Sequence, residues 1–427
     1  MRLLLIHQNF PGQFRQLAPH LEGLGHELVA IGSHQRPVAL QGRLLRYEEP
    51  AKLEGVPLGS QVWHDGLERA ARVARLVEGL DREGWRPQLI LGHSGWGETL
   101  GLSQVWPAVP QVLWPELWVR PEHGGYGVDP LKPAPGLDSR LEQLGRNALT
   151  RTALADASCW VLPTQHQAQS LPAAFRDHRL QVIHEGIDTH LARPNPAVRF
   201  EVRNITIDRT VPTITFVNRN LERLRGFDVF MRALPLIQRQ HPEVRVLIVG
   251  DNEPGYGGGD GHAQPLRERM LQELQGQLDL ERIHFLGRVP HPVLIALLQA
   301  SWVHVYLSYP FILGWSLLEA MACGAVVIGS DTAPVAEVIR DGVNGLLVDF
   351  FSPEALARQM AAVLADPAAH RPLGLEARRT VEQHFDLHGV CLPRQLALVD
   401  WLAAGAAAPA PYPAGSGWIN TPLPVGS

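Results

Sequence analysis

The sequence predicts an α/β protein with two domains, each a doubly wound parallel sheet covered by helices. The chain has 427 residues, which is more than one hydrophobic core usually supports. Short apolar runs typical of strands alternate with helical patterns through most of its length. This alternation starts afresh near residue 213, after a stretch interrupted by Pro194 and Pro196. A second domain is therefore expected to begin close to that point.

The N-terminal half opens with a strand, a helix and a strand. LLLIHQ predicts the first strand, QFRQLAPHLEGLG an amphipathic helix and HELVAIGS the second strand. Further strands are predicted at RPQLILGH, PAVPQVLW and SCWVLPT. We expect this domain to span residues 1–195.

The C-terminal half is more regular. TITFVNRN, FDVFMRALPLIQRQH and VRVLIVGD repeat the strand–helix–strand pattern, and strands and helices then alternate from RIHFLG to GLLVDF. Strands that are apolar on both faces indicate a parallel sheet. The predicted domain covers residues 205–385, a helix at 386–402 is expected to pack back toward the N-terminal domain, and the Ala/Pro-rich tail 403–427 is predicted to be disordered.

Composition excludes several classes of partner. A net charge of −5 and the lack of Lys/Arg blocks argue against nucleic acid and against strong electrostatic attachment to a membrane. Three widely spaced cysteines, Cys159, Cys323 and Cys391, show no metal-ligand spacing and suggest buried, reduced thiols. The N-terminus lacks the core of a signal peptide, so we expect a cytoplasmic protein.

One acidic residue stands out in the most apolar part of the chain. Between Arg288 and Asp331, Glu319 is the only Asp, Glu, Lys or Arg. Ser316 and Glu319 have the spacing of a helix capping box, which is a structural explanation. The functional alternative is that Glu319 accepts ribose hydroxyls while helix amides near Gly314 to Leu317 meet a phosphate. The local sequence leaves both readings open.

Two arginines flank the turn after the first strand of the C-terminal domain. In NRNLERLRGFD, Arg219 and Arg225 precede the turn glycine Gly226. Guanidinium groups at the carboxyl end of a parallel strand suit a diphosphate, and solvated surface arginines are the alternative. No D-x-D sequence occurs that would bind a metal ion to a diphosphate, so no metal and no cofactor are expected.

Two turns in the N-terminal half are further candidates. Gly12 in NFPGQF lies between the first strand and its helix, where a glycine allows close approach of a ligand. GHSGWG follows a predicted strand and nearly matches the nucleophile elbow of serine hydrolases, with Ser94 as nucleophile. Trp96 replaces the final glycine of that motif. His93 is either a satisfied buried histidine or a hydrogen-bonding or acid/base group facing the cleft.

The C-terminal half resembles the family 4 glycosyltransferases of the GT-B fold. The similarity lies in NRNLERLRGFD, FLGRVP, LLEAMACGAVVIGS and APVAEVIRDGVNGLLV. The N-terminal half, through HQNFPGQFRQLAPHL, PELW, YGVDP and VIHEGID, is similar to the N-terminal domain of one bacterial subgroup. The resemblance implies two Rossmann-like domains facing across a cleft, with donor bound by the second and acceptor by the first.

The resemblance also assigns roles to residues. It gives catalytic roles to His93, Arg219 and Arg225, and ribose binding to Glu319. Val289 matches the position whose backbone meets the base. Together with the readings above, the expected donor-binding set is Gly12, Val289, Phe311, Gly314, Ser316, Leu317, Leu318 and Glu319.

One position departs from the family. Eight residues before Glu319, where the family commonly has a glutamate that contacts the donor sugar, this chain has Phe311. We expect apolar surroundings for Phe311. The identity of the donor is therefore the part of the resemblance that transfers least.

The leading hypothesis is a retaining, metal-independent hexosyltransferase that moves a sugar from a nucleoside diphosphate sugar to a hydroxyl acceptor. The acceptor would be a saccharide or a lipid-linked saccharide, and cell-envelope polysaccharide synthesis follows only by analogy. Peripheral contact with the inner face of the membrane stays open. The alternatives are a nucleotide-sugar-binding protein that has lost transfer, suggested by Phe311, and, more remotely, a serine hydrolase using Ser94.

Overall fold

The computed structural model describes residues 1–34, 40–253, 255 and 263–405. The chain forms two compact units. Unit 1 comprises Met1–Pro121, Pro133–Gly186 and the described residues from His388 on, whereas unit 2 comprises Glu122–Lys132 and Ile187–Leu387. The predicted disordered tail falls almost wholly outside the described residues.

Unit 1 contains a seven-stranded sheet in the order β3-β2-β1-β4-β5-β6-β7, and every pairing is parallel. Its strands are β1 (Arg2–Ile6), β2 (Glu27–Gly32), β3 (Arg43–Arg46), β4 (Leu89–His93), β5 (Gln111–Trp114), β6 (Cys159–Leu162) and β7 (Leu180–Val182). Its helices are α1 (Leu17–Gly23), α2 (Leu58–Arg82), α3 (Leu102–Val105), α4 (Leu137–Asp156), α5 (Gln165–Ser170) and α13 (Leu392–Ala403). Helix α13 packs against α1 and β4.

Unit 2 contains a six-stranded parallel sheet in the order β12-β11-β10-β13-β14-β15. Its strands are β10 (Thr213–Asn220), β11 (Arg245–Asp251), β12 (Ile283–Gly287), β13 (Val303–Tyr306), β14 (Val326–Ser330) and β15 (Leu346–Val348). Its helices are α6 (Phe227–Gln240), α7 (Leu266–Glu273), α8 (His291–Ala300), α9 (Trp315–Ala322), α10 (Ala333–Ala336), α11 (Pro353–Ala365) and α12 (Pro367–His384).

Burial explains why these strands form parallel sheets. The central strands β1, β4, β10 and β13 are mostly apolar and are buried on both faces along most of their length, as strands between two helical layers must be. The predicted class, two doubly wound α/β sheets, is confirmed.

Two local features differ from the sequence expectations. The first predicted helix begins as a 3₁₀ turn at Gly12–Arg15 and becomes α-helical only at Leu17. A hairpin not foreseen, β8 (Arg199–Val202) with β9 (Ile205–Asp208), lies where a connection was expected. Arg203 and Asn204 turn it with positive φ at both positions, as two-residue hairpin loops of the right twist require.

The described residues contain no helix that combines the length and the apolar character needed to cross a bilayer.

Candidate functional site

The sheet of unit 2 has its switch point between β10 and β13, which are neighbours in the middle of the sheet. In open α/β sheets the strand order reverses at such a point and leaves a crevice at the carboxyl ends of the strands. Strand β10 leads into a 3₁₀ turn at Arg223–Arg225, and β13 leads into the loop before α9. This crevice is therefore where the predicted donor-binding residues of the C-terminal half should lie.

Arg225 lies in the crevice and is almost fully buried. Its Nη1 donates to the Tyr306 hydroxyl (3.1 Å), to Ser308 Oγ (2.8 Å) and to the Ile312 carbonyl (3.1 Å). Within the described part of the chain, Nε and Nη2 make no hydrogen bond. One edge of the guanidinium is therefore anchored by the β13–α9 loop, and the other is left for an anion.

Gly226 closes the turn that carries Arg225. Its φ of +66° is left-handed, and a Cβ added there would lie 2.5 Å from the Cβ of Leu307. Only glycine tolerates both conditions, so the turn closes tightly against the strand that follows.

The capping-box reading of Glu319 is wrong. Helix α9 begins at Trp315, its N-cap is Gly314, and no side chain caps it. Ser316 is therefore the second residue of the helix rather than its cap. The Gly314 amide donates instead to the Tyr306 hydroxyl (2.6 Å), so the loop and the helix start are fixed by the same tyrosine that holds Arg225.

Glu319 has a basic partner that the sequence reasoning missed. Its Oε1 lies 2.6 Å from Nε2 of His291, the first residue of α8, and Glu319 as a whole is 6% exposed. His291 follows the β12–α8 loop that contains the half-buried Val289. The run PHP, which follows the predicted strand RIHFLG after two residues, was the available signal, because functional groups often lie in the turns that follow parallel strands.

The remaining predicted donor residues of α9 differ in exposure. Leu317 and Leu318 are fully buried, so their side chains serve the core and a ligand could meet only their backbone. Ser316 is half-buried. Its backbone N–H lies in the first turn of α9, where an N–H group has no carbonyl acceptor within the helix. Such first-turn amides favour a phosphate.

Arg219 and Arg223, the other two arginines of this segment, have different surroundings. Arg219 is exposed near the end of β10. Arg223 is committed to carboxylates: its Nε and Nη2 lie 2.6 and 3.1 Å from the two oxygens of Asp129, and its Nη1 lies 3.5 Å from Asp228. Arg223 is thus structural, whereas Arg219 keeps its predicted place at the strand end.

Phe311 does not have the purely apolar surroundings that were expected. The guanidinium carbon of Arg225 lies 5.4 Å from the centre of its ring, within the range of a cation–π interaction. The ring of His123 meets it edge-on at 6.4 Å between centroids. A cation and an imidazole therefore border the position where the family commonly has a carboxylate.

His123 belongs to a segment, Glu122–Lys132, that comes from the N-terminal half of the sequence but lies in unit 2. The predicted boundary at residue 195 did not foresee this. Asp129 anchors the segment by accepting from Arg223 and from the Tyr309 hydroxyl at 2.6 Å. Gly125, with φ of +89°, passes so close to the Tyr309 ring that a Cβ would lie 2.3 Å from it.

In unit 1, His93 is the last residue of β4 and is 2% exposed. Its ring lies 4.9 Å from that of His7 and 6.0 Å, stacked, from that of Trp96. Gly12 lies against His7: a Cβ there would lie 2.2 Å from the imidazole. The glycine thus makes room for the imidazole of His7.

Glu116 is the carboxylate that faces His93, with 3.5 Å between His93 Nε2 and Glu116 Oε2. Glu116 has a left-handed φ of +62°, which is uncommon for a residue other than glycine. Gln167 donates to the Glu116 carbonyl at 2.7 Å and is itself oriented by Thr164. The strained backbone is held from outside, as is common at functional sites.

Ser94 is not placed as a hydrolase nucleophile. It is fully buried, and its Oγ has no hydrogen-bond partner among the described residues. The nearby Glu98 is also fully buried, and burial raises the pKa of its carboxyl group. Tyr47 donates to Glu98 Oε1 at 2.9 Å. No base in the described part of the chain is bonded to the serine, so those residues do not form the geometry required for nucleophilic attack.

All three cysteines are buried thiols that form no disulfide bond with one another, as expected. Burial raises the pKa of the Cys159 and Cys323 thiols to about 12, so they are inert at neutral pH.

Doubly wound sheets with a crevice at the switch point are typical of proteins that bind nucleotides. Comparison with known proteins makes the class specific. The model of the glycosyl transferase family 4 group matches residues 24–192, and that of the glycosyl transferases group 1 matches residues 198–380. The two matches together cover well over half of the sequence, and the chain belongs to the family 4 glycosyltransferases.

Individual relatives agree with this assignment. A D-inositol 3-phosphate glycosyltransferase from Mycolicibacterium vanbaalenii is 33% identical over 220 residues, which are 49% of this chain and 46% of the relative. One from Segniliparus rotundus is 26% identical over 71% of this chain and 68% of its own length. The first of these matches therefore spans about half the length of the relative.

Sucrose-phosphate synthase from Thermosynechococcus elongatus has a similar structure, with a TM-score of 0.70 and 21% identity over 95% of this chain and 100% of that chain. HepE from Anabaena in complex with UDP-glucose has a TM-score of 0.64 and 17% identity over the same shares. At these identities the similarity establishes the shared fold.

Proposed function

We propose that this protein transfers a sugar from a nucleoside diphosphate sugar to a hydroxyl group of an acceptor, with retention at the anomeric carbon and without a metal ion. The observation that carries the proposal is Arg225. A guanidinium this deeply buried is costly unless its charge is used, and only one of its edges is bonded by the protein. A diphosphate at the switch point would complete its hydrogen bonding.

Three further features support a nucleotide diphosphate. The first-turn amides of α9 and the positive end of its dipole favour phosphate oxygens. Glu319 offers a carboxylate of the kind that accepts ribose hydroxyls. Structures of the same fold have been solved with UDP and with UDP-glucose, which makes uridine nucleotides the first donors to test.

In this reaction the bond between the anomeric carbon and the diphosphate oxygen breaks, and the acceptor oxygen attacks the same face of the sugar. The acceptor proton passes to the departing phosphate oxygen. Negative charge grows on the diphosphate, and Arg219, Arg225 and the α9 amides would stabilise it. The protein then needs no covalent nucleophile, which is consistent with Phe311 at the position of the family's glutamate.

The acceptor would be a saccharide or a lipid-linked saccharide bound by unit 1, where His93 and Glu116 form a polar pair at the ends of β4 and β5. We assign His93 the role of hydrogen-bonding a reacting hydroxyl. Cytoplasmic location and a role in polysaccharide synthesis stay predictions.

Thermal unfolding with UDP, GDP, ADP and dTDP, each in EDTA, tests the donor site. A ligand at about 100 times its dissociation constant stabilises the folded protein by roughly 2.7 kcal/mol. A shift with one nucleotide is expected and names the base. If none of the four shifts the transition, or if binding requires a divalent cation, the proposal is wrong in that part.

A second function is favoured by Phe311: binding of a nucleotide sugar without transfer. The measurement that separates the two is release of free nucleotide from the bound nucleotide sugar in a screen of hydroxyl acceptors. A transferase releases nucleotide in an acceptor-dependent manner. A binding protein retains the nucleotide sugar intact with every acceptor, although the thermal shift is the same.

A further inference from the structure

Glu319 stands alone in an apolar region of the sequence. In the structure, its carboxylate contacts a histidine rather than a second acid. Glu319 is 6% exposed, and a carboxylate in such a buried residue is costly unless a hydrogen-bond donor meets it. His291 Nε2, at 2.6 Å from Oε1, is that donor. Oε2 accepts no hydrogen bond from the described residues and is not sealed from solvent.

His291 does not serve its own helix. It is the first residue of α8, its N-cap is Pro290, and no side chain caps this helix. The N-terminus of a helix favours acidic groups, and a basic group there is unfavourable. The imidazole is therefore better explained by the carboxylate it contacts than by the stability of α8.

The pair connects two parts of the donor site. Glu319 lies in α9, which follows β13, whereas His291 ends the loop that follows β12 and contains Val289. Helices α8 and α9 pack against each other, so the side chains are held from both sides. The orientation of the carboxylate consequently depends on a loop that is distant from it in the sequence.

We propose that His291 is a positioning residue for nucleotide recognition: it fixes Glu319 through Oε1 so that Oε2 faces the ribose hydroxyls of the donor. This inference rests on the proposed function. On this inference, the preference of the site for ribose over 2′-deoxyribose depends on both His291 and Glu319. An unheld carboxylate would rotate and lose part of the hydrogen bonding that distinguishes the two sugars.

The test measures dissociation constants of UDP, GDP and ADP and of their 2′-deoxy forms by titration calorimetry, and follows the tightest pair. The discrimination ratio is the constant for the deoxy form divided by that for the ribo form. In the wild type we expect a ratio of about 10 or more, since one hydrogen bond to a charged group is worth roughly a factor of ten or more in affinity.

The variants are Glu319→Ala, His291→Ala and His291→Gln. Glu319→Ala should bring the ratio close to 1. His291→Ala should lower the ratio most of the way toward 1. When His291→Ala is combined with Glu319→Ala, the ratio should not change further. His291→Gln should restore it, because the amide of Gln reaches as far as Nε2 and donates a hydrogen bond. His284→Gln, a half-buried histidine within β12, is the matched control and should leave the ratio unchanged.

The outcomes separate the two levels of the argument. If no nucleotide binds, or if Glu319→Ala keeps the ratio, the proposed ribose role of Glu319 fails and the inference fails with it. If Glu319→Ala abolishes the ratio but His291→Ala preserves it, the inference alone is overturned. A lower melting temperature of His291→Ala with an unchanged ratio assigns the histidine a purely structural role.

Discussion

Asp129 should stabilise unit 2 substantially, although it comes from the N-terminal half of the sequence. It is 4% exposed and accepts two hydrogen bonds from Arg223 and one from Tyr309. Asp129→Asn keeps an acceptor for Tyr309 but turns an amide toward the guanidinium. Breaking a buried ion pair costs about 3–5 kcal/mol. Arg223 is partly exposed and retains Asp228 at 3.5 Å, so we expect a loss of about 2–3 kcal/mol in the free energy of unfolding.

The effect should depend on pH with a defined sign. Burial alone would raise the pKa of Asp129, but the hydrogen bonds from Arg223 and Tyr309 hold it below its ordinary value. A carboxyl group whose pKa is depressed by folding contributes stability above its unfolded pKa and loses it as the pH falls through its folded pKa. The difference between wild type and Asp129→Asn should therefore be full at pH 7 and shrink below about pH 4.

Urea unfolding at pH 7 and at pH 3.5 measures this difference, and hydrogen exchange over Glu122–Lys132 reports whether the segment itself detaches. Glu354→Gln, the same chemical change on an exposed residue of α11, is the control and should have little effect. A loss below about 0.5 kcal/mol at pH 7 would place Asp129 among ordinary surface ion pairs. An equal loss at both pH values would contradict the assigned charge.

Three further outcomes are expected. Arg225→Lys should lower kcat by about 10- to 100-fold, since a single ammonium cannot hold the β13–α9 loop and a diphosphate together; unchanged kcat would remove the residue from the proposed mechanism. Phe311→Glu should fold and bind nucleotide, because Arg225 is close enough to pair with the new carboxylate; a loss of thermal stability above about 3 kcal/mol would favour the original expectation of apolar surroundings. Glu98→Gln should raise the free energy of unfolding at pH 8 but not at pH 4, because the raised pKa of buried Glu98 makes its ionised form destabilising; a stabilisation independent of pH would contradict this.

The regular part of the fold was accessible from the sequence. In unit 2 the apolar runs were long, and turn signals bounded them, so each predicted strand from TITFVNRN to GLLVDF corresponds to a strand of the sheet. In unit 1 the strands β3 and β7 were not predicted. They lie at the two edges of the sheet, where RLLR and LQV are only half-buried and carry little apolar signal.

The site was accessible to a lesser degree, and the reason is geometric. Strand ends identify which turns meet, so Arg225, Gly314 and Glu319 could be assigned to one crevice. Partners of those residues depend on contacts between elements that no local pattern encodes. His291 is 28 positions from Glu319, and Asp129 is 94 positions from Arg223.

The same contacts explain how unit 2 can tolerate Phe311. Tyr306, through its single hydroxyl, receives both Arg225 and the Gly314 amide, so the loop carrying Phe311 is fixed without help from a carboxylate. On its other side, the ring meets His123, whose segment is secured by Asp129. A glutamate lost from the loop therefore need not collapse the crevice. Its absence should alter which sugar the site accepts more than whether the site forms.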